Sequence, residues 1–73
     1  MERENWGRRI RAFRKLKGFT QESFAKEIGV SVSILGDIER ETRIPTTELI
    51  EQIVQVLQIT IDELRPIEEN QSE

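Results

Sequence analysis

Cysteine and histidine are both absent from these 73 residues. Without cysteine there are no disulfides and no thiolate metal sites. Without histidine the commonest general base and metal ligand is gone. No apolar run approaches the roughly 20 residues that a membrane span requires. The N-terminus, MERENW, is charged rather than apolar, which argues against a secretory signal. A cytoplasmic location is therefore expected, with no membrane association. Nor is there a glycine-rich phosphate loop. Fourteen acidic residues remain, but carboxylates alone assemble no catalytic constellation here, and their spacing suggests no metal site. Glu22, Glu27 and Glu63 read as solvated helix faces or caps. The expectation is a protein that is not an enzyme and uses neither cofactor nor metal.

What is present fits one small folded domain, with 36% hydrophobic and 34% charged residues. A core this size is only marginally stable by itself. The net charge of −3 would count against nucleic acid as a partner, but its distribution counts the other way. Residues 1–20 hold seven basic and two acidic side chains, or +5. Residues 21–45 hold three and five, or −2, and residues 46–73 hold one and seven, or −6. Such an arrangement suits a basic face on phosphates and an acidic face in solvent.

Hydrophobic spacing predicts five helices and no strand. The first spans about Asn5 to Lys17, with Trp6, Ile10 and Phe13 on one face and Gly18 as its stop. Thr20 to Glu39 reads as two short helices around Gly29-Val30-Ser31. Phe24, Ala25 and Ile28 are the apolar stripe of one, Leu35 and Ile38 that of the other. Gly29 stops the first because it tolerates the left-handed conformation. Ser31 starts the second because its hydroxyl satisfies an orphan N–H. Pro45 disfavours helix at Ile44, so the fourth helix starts after it, capped by Thr46 and running to about Leu57. Ile50, Ile53, Val54 and Leu57 form its core stripe, widened by Leu49 and Val56. Thr60 with Glu63 matches a capping box that opens a short fifth helix before Pro66. Residues 1–66 form the domain on this reading, and 67–73 are an acidic tail expected to be mobile. Apolar residues before each cap also pair with the fourth helical residue: Phe19 with Phe24, Val30 with Leu35, Ile59 with Leu64, and more weakly Pro45 with Ile50.

Two helices joined by a short turn containing glycine make a helix-turn-helix, whose second helix can enter the DNA major groove. Ile10-Arg11, Arg14, Gly18, Thr20-Gln21, Ala25, Gly29-Val30-Ser31, Ile38-Glu39-Arg40 and Pro45 stand in the order and at the separations of a known pattern. On them the chain resembles the phage-repressor-like (Xre/Cro-type) helix-turn-helix family from about Trp6 to Leu64. The resemblance implies an all-α, compact five-helix DNA-binding domain whose third helix is the recognition helix. It implies a phosphate contact from Gln21 at the start of the second helix, assisted by Thr20. Arg14 and Glu39 stand where similar proteins have a structural pair. Val32, Ser33, Ile34, Gly36 and Asp37 stand where relatives face the groove. No Arg, Lys, Gln or Asn lies between Val32 and Gly36, so the usual bidentate base contacts are missing there. Val32 and Ile34 are left to meet thymine methyls, and Asp37 to accept from a cytosine amino group. Arg40, Thr42 and Arg43 are further phosphate candidates. Glu41 replaces the family's usual glycine, which leaves two outcomes: a third helix one residue longer, or a strained turn at Glu41.

The leading functional expectation is a sequence-specific transcriptional regulator, repressor-like, that binds a palindromic operator in double-stranded DNA as a homodimer. With no separate oligomerisation domain, the dimer contact is expected from Val56, Ile59, Ile61, Leu64 and Ile67. A chain of this length resembles small repressors and the controller proteins of restriction-modification systems. The alternative is a protein-interaction module of the same fold, antirepressor or antitoxin-like, with reduced DNA binding and a regulatory protein partner.

Overall fold

A computed structural model describes residues 6–65. They form α1 (Trp6–Leu16), α2 (Gln21–Ile28), α3 (Val32–Glu39), α4 (Thr47–Leu57) and α5 (Ile61–Leu64), with no strand among the described residues. The all-α, five-helix expectation holds. Asn5, Ile67 and the acidic 67–73 segment lie outside the described residues.

Helices α2 to α5 begin on the hydroxyl residues singled out above. Thr20, Ser31, Thr46 and Thr60 each accept from the backbone N–H three residues on, at 3.0–3.1 Å. Glu63 closes the capping box at Thr60, its carboxylate accepting from the Thr60 N–H at 2.8 Å. Ser23 makes an unforeseen second box, accepting from the Thr20 N–H at 3.0 Å with a shorter side chain. The Phe19 and Phe24 rings pack with centroids 5.2 Å apart. Val30 and Ile59 pack on the core that holds Leu35 and Leu64.

Helix ends repeat one device. Just past the helix a residue turns left-handed and its N–H bonds back three residues, while the next N–H bonds back five. Gly18 with Phe19, Gly29 with Val30, Glu41 with Thr42 and Gln58 with Ile59 all make these bonds, at 2.9–3.3 Å. Two of the four left-handed residues are not glycine: Glu41 has φ 66 and Gln58 φ 60. The strained-turn outcome is therefore the one found at Glu41, and α3 stops at Glu39. The Glu41 carboxylate has a compensating partner. It accepts from the Arg8 N–H at 3.1 Å, satisfying an orphan donor at the start of α1, a helix with no acid in its own first turn.

The core takes Trp6 and Ile10 from α1, Phe24, Ala25 and Ile28 from α2, Leu35 and Ile38 from α3, Ile50, Ile53 and Leu57 from α4, and Leu64 from α5. Burial of each large side chain contributes roughly 1.5–3 kcal/mol. Helix α1 packs on α3, α4 and α5, and α2 packs on α3 and α4. The crossing of α1 over the end of α3 is close enough that a Cβ at Gly7 would collide with the Ile38 carbonyl. Leu64 is 0% exposed, so it is filled by this chain's own core and offers no surface to a second copy. Its expected place in a dimer interface is corrected: this side chain is needed in the core. Among the described residues no helix is long and apolar enough to cross a membrane.

The two non-glycine turns should answer glycine differently. Gln58→Gly removes left-handed strain from an exposed residue and should raise unfolding free energy by about 1 kcal/mol. Glu41→Gly removes the same strain but also the carboxylate that caps α1, and should gain nothing or lose stability. Equilibrium urea denaturation of both variants measures the difference.

Candidate nucleic-acid interface

The turn between α2 and α3 is set by its own residues, Gly29 in the left-handed region and Ser31 capping α3. It leaves α3 with one face down and one face out. Leu35 and Ile38 are fully buried, while Val32 and Ser33 are exposed and Asp37 is half-buried. Residues 33, 36, 37 and 40 share the outward side of a helix of 3.6 residues per turn.

A buried polar junction holds that helix in place. Arg14 on α1 donates from Nε to Glu39 Oε2 at 2.6 Å and from Nη2 to Oε1 at 3.1 Å. Its third donor goes to the Phe19 carbonyl at 2.9 Å, in the α1–α2 turn. Gln21, the first residue of α2, donates from Nε2 to Glu39 Oε1 at 3.1 Å. Three helices thus meet on one carboxylate. The expected Arg14–Glu39 contact is present, bidentate and shielded, with 8% and 2% of the two side chains exposed. Gln21 keeps one amide hydrogen for another partner, at the N-terminal end of α2 where an anion is favoured.

Other expected contacts are redistributed. The Thr20 hydroxyl caps α2 and donates to Ser23 Oγ at 3.0 Å. The Thr42 hydroxyl donates to the Asp37 carbonyl at 3.1 Å, tying down the end of α3. Ile34 is half-buried and packs on the core, which weakens its claim on a thymine methyl. Asp37 is turned to arginines instead of standing open to a base. Its Oδ1 is 2.7 Å from Arg40 Nη2 and its Oδ2 is 3.9 Å from Arg43 Nε. Gly36 is buried beneath Arg40, whose Nη1 lies 3.2 Å from where a Cβ would stand.

The basic segment is also thinner than its count. Arg14 is internal. Arg9 donates to the backbone carbonyls of Glu63 and Leu64 at the end of α5, with its guanidinium 5.5 Å from the Phe13 ring centroid. Arg8, Arg11, Lys15 and Lys17 are the exposed basic residues left on and just after α1. Arg8 was not singled out, yet its backbone is bonded to Glu41, beside the end of α3. No local signal marks it, since the partners are 33 positions apart. Of the expected dimer residues, Val56 and Ile59 are half-buried and Ile61 is exposed. Leu16 and Ile44 are far more exposed, at 74% and 79%. Among the described residues no cluster of acidic side chains is placed to hold a metal ion.

A family model described as helix-turn-helix matches residues 10–64. The chain is 63% identical over 68 residues to YazB, an HTH-type transcriptional regulator of Bacillus subtilis (strain 168), across 93% of this chain and 99% of that one. A solved structure of the restriction-modification controller protein C.AhdI from Aeromonas hydrophila is similar, with TM-score 0.77 and 33% identity over 82% of this chain and 91% of that one. The Bacillus biofilm regulator SinR, crystallised in complex with DNA, is similar with TM-score 0.75 and 33% identity, over 81% and 95% of the two chains.

Deleting one partner of the polar junction should be severe. Arg14→Ala leaves Glu39 buried without its guanidinium and is expected to cost about 3–5 kcal/mol in chemical denaturation. The double variant Arg14→Met, Glu39→Leu should recover most of that loss, because neither charge is then left uncompensated.

Proposed function

The chain belongs to the helix-turn-helix family of phage-repressor-like, Xre/Cro-type transcriptional regulators, which are DNA-binding proteins and not enzymes, and from that premise we propose that it acts as a repressor-like homodimer on a palindromic operator. The observation that carries this reading is the outward face of α3. Val32, Ser33, Asp37 and Arg40 stand along it, with Gln21 at the N-terminal end of α2 and Arg43 in the turn beyond α3. A helix of eight residues meets only a few base pairs, so useful specificity calls for two half-sites about 34 Å apart. Phosphate contacts are assigned to Gln21 and Arg43, with Arg8 as a further cation nearby. Glu48, Glu51, Asp62 and Glu63 are exposed to solvent. Val56, Ile59 and Ile61 are the dimer residues that remain once Leu64 is counted in the core and Ile67 is set outside the described residues. We infer a cytoplasmic location as the one that goes with this role. The DNA-bound SinR structure supports the DNA-binding part of this reading by likeness.

Two measurements test it. Arg43→Ala should weaken duplex binding and reduce the log–log salt slope by about 0.9, while Gln21→Ala should weaken binding with the slope unchanged, because a neutral amide releases no counterion. Binding that is insensitive to salt and to both changes would favour the protein-interaction module. Sedimentation should show a dimer that Ile61→Glu converts to monomer; a wild-type monomer at high micromolar concentration would refute the homodimer.

A further inference from the structure

We propose that Arg40 is the residue that reads a base, most simply a guanine, and that Asp37 and Gly36 aim it. The inference rests on the DNA-binding reading above and replaces the phosphate role first expected of Arg40. Side chains on a helix lean toward its N-terminus, and this one does so fully. Arg40 Nη1 lies 3.2 Å from the missing Cβ of Gly36, and Nη2 lies 2.7 Å from Asp37 Oδ1. The guanidinium therefore sits one turn back from its own Cα, in the middle of the outward stripe that begins at Ser33. An arginine that only grips phosphate has no need of that bed.

Three features favour a base edge. Between Val32 and Asp37 the outward face offers no other long donor. The guanidinium has five N–H groups, and one bond to Asp37 leaves enough for the O6 and N7 acceptors of guanine. The Arg40 side chain is also 65% exposed, so these donors are open to a ligand. Asp37 gains a consistent role as well. Opposed to Arg40 on one oxygen, and to Arg43 at 3.9 Å on the other, its charge is offset locally. Gly36 gains a role too, since a Cβ there would stand 3.2 Å from Nη1 and press the guanidinium off its bed.

The experiment is selection from random duplexes by the wild-type chain, followed by titration of wild type, Arg40→Ala, Asp37→Asn and Gly36→Ala against the selected site with each base pair varied in turn. Thermal melting monitored by circular dichroism confirms that each variant is folded. Wild type should require guanine at one position of each half-site. Arg40→Ala should lower affinity for that site about 5- to 150-fold and make the four bases equivalent at that position alone, with the salt slope unchanged. Asp37→Asn and Gly36→Ala should each weaken the same preference and no other. If Arg40→Ala weakens all duplexes equally and lowers the salt slope by about 0.9, Arg40 is a phosphate ligand and the assignment falls while DNA binding stands. An unchanged base profile in Arg40→Ala overturns it equally. A wild-type chain that enriches no duplex overturns both the assignment and the DNA-binding reading.

Discussion

Glu39 is a charge buried where three helices meet, and the rest of the arrangement follows from satisfying it. Taking a carboxylate and a guanidinium out of water costs several kcal/mol per ion, and proximity alone does not repay that. The compensation is geometric: two bonds from Arg14, one from Gln21, and a third Arg14 donor placed on the Phe19 carbonyl. Apolar side chains of similar volume would hold the helices together as strongly. They would supply no directional bonds to add to the orientation that buried Leu35 and Ile38 already give α3. A bidentate pair fixes how α3 is turned about its axis, and therefore which of its residues look outward. The same carboxylate orients the Gln21 amide, so the scaffold and the edge of the interface are set by one group.

Much of this was legible in the sequence because it is written in local chemistry. Gly18-Phe19-Thr20, Gly29-Val30-Ser31 and Gln58-Ile59-Thr60 are versions of a single connector. A left-handed residue ends one helix, an apolar residue packs inward, and a hydroxyl starts the next. All the information for such a turn lies within about five residues, so caps and boundaries could be placed closely. Gln58 was not foreseen as the left-handed member because nothing short of the backbone angle distinguishes it from an ordinary helical glutamine.

The interface was less legible because its polar atoms have competing partners that only the fold supplies. Arg9 counted toward a basic face until the carbonyls 54 and 55 positions away claimed it. The hydroxyls of Thr20 and Thr42 looked available for phosphate, and both are used by helix ends. Leu64 looked surplus on a short helix, yet it fills the space between α1 and α4. In each case the residue type was legible and the partner that the fold supplies was not. Arg40 shows the converse. Its position past the end of α3 suggested a peripheral role, whereas its length carries the charge back over Gly36.

The left-handed glutamate at position 41 has a consequence for how the domain can diverge. Its strain is tolerable because α1 starts close enough for the carboxylate to reach the Arg8 N–H. That closeness in turn demands that Gly7 carry no side chain, since its missing Cβ would also stand 2.9 Å from Glu41 Cγ. Gly7 is thus hemmed in by the backbone at the end of α3 as well as by the Glu41 side chain. A substitution at position 41 would not lift that demand, because the Ile38 backbone carbonyl closes the same space whatever side chain the turn carries.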